Sequence, residues 1–386
     1  TVPAAAGTNT VTIPAATGNL PLSNLDHVTN RRNANPIIIN GNMAVAQRGT
    51  SFTSQTGVAY HLDRYEISAF NVGDGVYRVD QSTDVPSGQG FSNSNKVSCT
   101  TADTSQDANN QMYFQTQLEG TATTLLNYFV ASPDTVTIAF WVRANRTGSY
   151  SFGLKLSDNG SVENNTATRI YHKTYSISSA DTWEKKVLSI TLDSSTSETK
   201  VTGTGFAVGL QFWLGAGSSR DGATADQWLD NGNATTASDN LDLLGSTSND
   251  WFITGLQMEV GSFDSTTIPP FQHESFADNL RRCERYYKQF GGNSSHERIC
   301  LVFMASTSQA RGQIPISMRA APSIEANNLQ IEGTAAVTVN SVAVDQPSTR
   351  VAAINFNCDT GIAAGQGAQA QGANNTSARL KLSAEL

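Results

Sequence analysis

The sequence predicts an all-β protein whose main body is a jelly-roll-like antiparallel β-sandwich, and three observations carry that expectation. Charged residues make up only 15% of the 386 residues, against about 25% in ordinary globular domains. Ser, Thr, Asn, Gln and Gly fill the difference, a mixture that suits strands and turns more than helix surfaces, which favour Glu, Lys and Arg. Short runs of period-2 alternation recur along the chain, separated by polar turns with no helices interleaved, as antiparallel layers require.

The elements follow in order. Residues 1–35 hold one short alternating run, "TNTVTIPAATG", and a basic pair, Arg31-Arg32. They offer too little apolar surface for a core and are expected to form a linker or stalk ordered by other contacts. From Pro36, "PIIINGNMAVAQRGTSF" predicts a strand that turns at Asn40-Gly41. "YHLDRYEISAF", "GVYRVDQS" and "QMYFQTQLEG" add strands, and "TVTIAFWVRANRTGSYSFGLKLSDNG" predicts a hairpin turned by Asn145–Gly148. "RIYHKTYSIS", "TWEKKVLSITLD", "GFAVGLQFWLGAG" and "WFITGLQMEVG" complete a sandwich over residues 36–265.

Pro269-Pro270 then end ladder pairing. Residues 266–291 are expected to carry a connecting helix opened by a Ser275/Asp278 capping box and stopped by Gly291-Gly292. Phe276, Leu280, Cys283, Tyr287 and Phe290 recur at helical spacing and predict one buried, structural face. Residues 292–386 return to alternation in "ICLVFMAST", "RGQIPISMR", "AAVTVNSVAV", "RVAAINFN" and "ARLKLSAEL", a smaller C-terminal β-rich domain.

Composition excludes several function classes. A net charge of −8 and a pI near 5.1 leave no general basic field for nucleic acid. No run approaches the roughly 20 apolar residues that span a bilayer, so no membrane insertion is expected. The chain opens at Thr1 with neither an initiator Met nor a secretory pattern, which suggests processing or a longer parent chain. Cys99, Cys283, Cys300 and Cys358 lack metal or disulfide spacing and are expected to be free, buried thiols.

The same elimination applies to catalysis. His27, His61, His172, His273 and His296 are dispersed, with no HExxH and no GxSxG elbow. No catalytic residue, metal site or cofactor is predicted. Asp221, Asp226 and Asp230 share a loop but lack the EF-hand glycine and terminal Glu, so a solvated acidic loop is expected. His273-Glu274 belongs to the start of the helix, and Arg281, Arg282 and Arg285 form a basic edge suited to ion pairing.

Four tryptophans are the binding candidates. Alternation assigns Val136, Ile138, Phe140 and Val142 to the core and so turns Trp141 away from it. In the same way Trp213 stands with Gly209 and Gln211, Trp251 with Gln257 and Glu259, and Trp183 opposite Leu188 and Ile190. Indole rings beside Gln, Glu and Gly can stack on sugars. Off-core aromatic area more often marks an interface between chains, which is the expectation adopted for these four.

Several of these motifs, in order, have a familiar form: "PIIINGNMAVAQRGTSF", "YHLDRYEI", "VTIAFWVRANRTGSYSFGL", "DTWEKKVLSITL", "FWLGAG", "NDWFITGLQMEVGS", "FQHESFADNLRRCERYYKQF" and the closing "LSAEL". From about Asn35 to Leu386 the chain resembles a family of structural and tail-fibre proteins of tailed bacteriophages, common in marine phages. "LQMEVGS…FQHESFADNLRRCERYY" is the most specific part. "GTNTVTIPAATG" is similar to a segment that precedes this module in phage fibres. The resemblance implies a component of the virion's outer surface, trimeric, acting in attachment, with no catalytic residues. The expected protein is thus a non-enzymatic fibre or spike subunit, on the tail rather than the capsid, joined to other virion proteins through its N-terminal segment. The expected partners are two further copies in a homotrimer and host-surface glycan. The alternatives are a capsid-attached decoration fibre and, from another class, a polysaccharide depolymerase or secreted carbohydrate-binding module.

Overall fold

The computed structural model describes residues 32–33, 35–161, 168–230, 236 and 242–386. Most of the linker expected over residues 1–35 lies outside that set. Strands that alternate apolar and polar residues bury one face each, and the first thirteen do so against one another. They are β1 (Ser51–Gln55), β2 (Ala59–Tyr60), β3 (Tyr65–Phe70), β4 (Val76–Ser82), β5 (Ser94–Thr101), β6 (Gln111–Glu119) and β7 (Thr135–Ala144). They continue with β8 (Gly148–Ser157), β9 (Thr168–Ile177), β10 (Glu184–Thr191), β11 (Phe206–Ala216), β12 (Trp228–Asp230) and β13 (Asp250–Val260).

Two antiparallel sheets result: six strands in the order β1-β4-β5-β13-β7-β10, and seven in the order β12-β9-β8-β11-β6-β3-β2. Phe140 from the first sheet meets Phe212 from the second at 4.9 Å, and Phe152 meets Phe212 at 5.1 Å, both edge to face. These rings, with Val79, Phe114, Ile138, Leu154 and Leu210, sit in one contiguous core.

Beyond the sandwich come α1 (Phe276–Cys283), β14 (Tyr287–Phe290), β15 (Arg298–Ser306), β16 (Gln309–Pro315), β17 (Ser323–Asn327) and β18 (Leu329–Glu332). The chain closes with β19 (Ala336–Gln346), β20 (Val351–Cys358), β21 (Gly367–Gly372) and β22 (Arg379–Ser383). Six of these strands form a closed barrel, β15-β16-β20-β19-β18-β21, filled by Val302, Met304, Ile314, Ile331, Ile354 and Phe356. The other three pair as β14-β22-β17, so the end of the chain is a strand beside the helix. All four cysteines are free; Cys99, Cys283 and Cys358 are buried.

Four expectations are corrected. Residues 36–50 form turns with no strand, although Ile37, Ile38 and Ile39 are buried. The Asn40 side chain holds this segment by bonding the Val45 N–H and carbonyl (2.9 Å each) and the Asp63 carbonyl (3.0 Å). Asn145–Gly148 is not a hairpin turn, because β7 belongs to the six-stranded sheet and β8 to the seven-stranded one. Each strand carries its own apolar face, and the two oppose across the core. Asn145 anchors the crossing by donating to the Ser248 carbonyl (2.9 Å) and accepting from the Asp250 N–H (3.0 Å).

The third correction concerns Trp251, which is fully buried in the sandwich core. Pairing of β13 with β7 slips between Thr254 and Gln257, and Gly255 there has φ +62°. This bulge reverses the alternation, so that Trp251 and Ile253 before it face the same core as Leu256, Met258 and Val260 after it. The fourth concerns the helix. It ends at Cys283, and Tyr287 and Phe290 lie in β14, paired with Ser383 and Leu380 of β22. Distant pairing with the chain's end overrides a local helical period. Phe276 is exposed, and the buried side chains of α1 are Asn279 and Cys283. Leu280 is half-buried against Ile39, Val45, Cys283 and Tyr286. The Ser275 hydroxyl caps the helix, accepting from the Asp278 N–H at 3.2 Å.

Candidate functional site

The outer face of the seven-stranded sheet carries a built polar site. Alternation sends Phe114, Phe212 and Phe152 inward and therefore Gln115, Gln211 and Gly153 outward. Register then aligns them: Glu66 of β3 lies opposite Gln115 of β6, Gln115 opposite Gln211 of β11, Gln211 opposite Gly153 of β8, and Gly153 opposite His172 of β9. Five strands thus contribute one row. Beside it Ser68, Tyr113 and Trp213 form a second row. A third runs Gln117, Gly209, Lys155 and Ile170.

Hydrogen bonds fix the row's polarity from one end. The Glu66 carboxylate accepts from Gln115 Nε2 at 2.7 Å and from the Ser68 hydroxyl. That orients Gln115 so that its Oε1 accepts from Gln211 Nε2 at 3.1 Å. Burial raises the Glu66 carboxyl above the ordinary range, although both bonds pull it the other way. Tyr113 and Trp213 lie 4.8 Å apart with their rings tilted by 50° beside the amides. The row is a relay of donors and acceptors flanked by two aromatic rings, and Gln115, Gln211, His172 and Trp213 in it are all buried.

The β8 end is different, because its polar atoms lack partners. Trp213 Nε1 and both ring nitrogens of His172 are buried without a hydrogen bond. A methyl placed on Gly153 would lie 3.3 Å from Ile170 Cδ1 and 3.6 Å from both Gln211 Oε1 and Trp213 Nε1. The absent side chain lets those neighbours close over the strand, so the position is already occupied on three sides. Burial, and then the charge of Lys155, push the His172 imidazole down to about 4, so it is neutral near pH 7. Burial alone pushes the half-buried Lys155 amine down to about 8.

The candidate tryptophans are not brought together. Trp213 belongs to this face and is buried in it. Trp251 is core. Trp141 and Trp183 lie half-buried on the outer side of the six-stranded sheet. There Trp183 Nε1 donates to Asp84 at 2.9 Å and its ring stands edge-on to Phe252 at 6.0 Å. The acidic loop does not converge either: Asp226 pairs with Lys173 (2.6 Å) and Asp230 with Arg169 (2.5 Å). Among the described residues no cluster of three or more His, Cys, Asp or Glu side chains suits a metal. Sequence reasoning missed Glu66, Tyr113, Gln115, Lys155, Gly153 and His172. Alternation within each strand held that signal, but register across five strands was needed to assemble it.

Two concavities among the described residues lie away from this row. A cleft of about 330 Å³ between the sandwich and the three-stranded sheet is lined by Arg48, Phe52, Tyr60, Tyr287, Glu325 and Lys381. Arg48 there stacks on Tyr287 at 3.6 Å and pairs with Glu385 at 3.1 Å. A groove of about 410 Å³ crosses the barrel's outer surface beside Leu301, Phe303 and Arg311.

No protein-family model and no curated protein matches the chain. Some solved structures resemble it distantly. The enzymatically active domain of tailspike protein 4 of bacteriophage CBA120 is 12% identical with a TM-score of 0.29, over 58% of this chain and 21% of that one. The family 11 carbohydrate-binding module of the Clostridium thermocellum cellulase Lic26A-Cel5E is 11% identical with a TM-score of 0.27, over 55% of this chain and 98% of that one. The CBM22-1 and GH10 modules of Clostridium thermocellum xylanase 10B are 12% identical with a TM-score of 0.26, over 56% and 29%. The chain thus spans about a fifth of the tailspike domain. At TM-scores this low the likeness carries no argument, and the architecture stands on the strand pairing of this chain.

Proposed function

We propose that this chain is a non-enzymatic fibre or spike subunit of a tailed-bacteriophage virion, and that it binds host-surface glycan through the outer face of the seven-stranded sheet. The observation that carries the binding role is the row Glu66–Gln115–Gln211–Gly153–His172. A sugar presents a ring of hydroxyls, each both donor and acceptor, on an apolar ring face. Side-chain amides in relay beside the Tyr113 and Trp213 rings offer the complement to both. The virion assignment is supported by the ordered motifs from Asn35 to Leu386.

A homotrimer suits the same account. On β15, Val302 and Met304 fill the barrel while Leu301 and Phe303 stand exposed, Leu301 at 80%. Large apolar side chains left in solvent beside a groove suit burial against a second copy. Repetition would make weak single-site binding avid.

The test is to titrate purified protein with polysaccharide from the host envelope. Saturable binding without release of reducing ends, weakened in Gln211→Ala, is expected. Sustained release of reducing ends would instead favour a depolymerase. Light scattering should give three times the chain mass, and a map of the intact particle should find the subunit on the tail rather than the capsid.

A further inference from the structure

The cleft beside the three-stranded sheet is built by the sandwich and the C-terminal strands together. At about 330 Å³ it reaches the size, roughly 300 Å³, at which small-ligand pockets begin. Alternation on β17 and β22 turns Ile324, Leu380 and Leu382 toward the C-terminal core. It therefore sends Ser323, Glu325, Lys381 and Ser383 to the other face, where they line the cleft. Register sets Ser323 opposite Ser383 and Glu325 opposite Lys381, so two polar rows cross this face. The sandwich contributes Phe52 on β1 and Tyr60 on β2, edge strands of its two different sheets, both half-buried. Arg48, stacked on Tyr287 at 3.6 Å, completes the lining.

The polar groups of this cleft are open to solvent. The Glu325 side chain is 77% accessible and that of Lys381 39%. Their carboxylate and ammonium stand 3.7 Å apart, wider than the roughly 3.2 Å of a direct N–H···O bond. A hydroxyl set between them accepts from the ammonium and donates to the carboxylate. Each cation of the lining also faces a carboxylate, Arg48 that of Glu385 at 3.1 Å and Lys381 that of Glu325. No charge of either sign is left over for a charged ligand.

We propose that this cleft is a second saccharide site, selective for neutral sugar. The ring's apolar face would lie against Phe52 and Tyr60, and its hydroxyls would meet Lys381, Glu325 and Ser383. An aromatic wall together with a polar one suits a pyranose, which carries C–H groups on its faces and hydroxyls around its rim. A uronate carboxylate would meet Glu325 as a like charge, which disfavours it. The site goes beyond the sheet face and shares no residue with the row from Glu66 to His172, so it stands whether or not that face recognises glycan.

Ligand-observed NMR on the full chain tests it with cellobiose, lactose and maltose, and with glucuronate as the charged control. At least one neutral disaccharide should bind, and more tightly than glucuronate. Lys381→Met and Glu325→Leu, both at accessible positions, should each weaken that binding about tenfold, the scale of one hydrogen bond to a charged group. Ser323→Trp, which fills the cleft from an exposed strand position, should abolish it. Should Ser323→Trp fail to fold, the other two variants decide alone. Failure of all three disaccharides to bind would overturn the site, as would binding that survives Ser323→Trp in the folded protein or is exceeded by glucuronate. Binding weakened in Gln211→Ala but kept in Lys381→Met and Glu325→Leu would move the sugar to the sheet face, overturning the cleft site and leaving that face's role intact.

Discussion

Arg64 and Glu385, 321 residues apart in sequence, form a buried ion pair at the junction between the sandwich and the end of the chain. Arg64 also donates to the Gln117 carbonyl and stacks on Tyr286 at 3.5 Å. Glu385 takes a second cation, Arg48, at 3.1 Å. Removing one member leaves a charge buried without its partner, which typically costs about 3–5 kcal/mol. Arg64→Met and Glu385→Leu should each lower stability on that scale in denaturant titration. The double variant should recover much of the loss, because an apolar pair of similar volume is often as stable as the ion pair.

The bulge at Gly255 makes a second prediction. A Cβ there would sit 2.6 Å from Phe91 Cζ in a backbone with φ +62°. Gly255→Ala should therefore destabilise by more than about 1 kcal/mol. It should also alter the near-ultraviolet signal of Trp251, whose inward orientation depends on that bulge.

The tryptophans should differ accordingly. Trp251→Ala empties a core position packed on Phe114 at 5.5 Å and should cost about 3–5 kcal/mol. Trp183→Ala removes a half-buried ring and one hydrogen bond to Asp84, and should cost about 1 kcal/mol. Melting curves of the two variants separate these outcomes.

The account also predicts pH dependence. Burial, followed by the Arg48 charge, pushes His61 down to about 4, and burial with the Lys155 charge does the same to His172. In the unfolded chain both titrate near 6.5. A depressed folded pKa means the unfolded state binds more protons between those values, so stability is full above about pH 6.5 and falls as pH drops toward 4. Denaturant midpoints measured across that window should decline on acidification. His172→Gln should flatten the slope.

The helix has its own test. Leu280→Ala removes packing against Ile39, Val45 and Tyr286 and should cost about 1–2 kcal/mol. Arg281 is exposed and pairs with Asp278 at 3.1 Å, so Arg281→Ala should change stability by less than about 1 kcal/mol.

The layered all-β class was legible in the sequence because alternation and turn chemistry are local. Ile138, Phe140, Val208, Leu210 and Phe212 fall in the core as their spacing requires. What failed was non-local. A bulge at Gly255 inverted Trp251, pairing of Tyr287 with Ser383 cut the helix short, and membership of different sheets turned the Asn145–Gly148 hairpin into a crossing. The candidate site was half legible: Gln211 and Trp213 share an outward face by alternation alone. Their partners Gln115, Gly153 and His172 come from other strands, and only register makes them neighbours.

The most direct test of glycan recognition by this face follows the five indole N–H signals of isotope-labelled tryptophan during titration with host-envelope polysaccharide. Trp213 is the tryptophan beside the polar row, and its Nε1 is unpartnered. The account predicts that the Trp213 signal, assigned through Trp213→Phe, shifts saturably while those of Trp141, Trp183 and Trp251 stay in place. Saturable shifts at Trp141 or Trp183 with Trp213 unmoved would place recognition on the other sheet and contradict it.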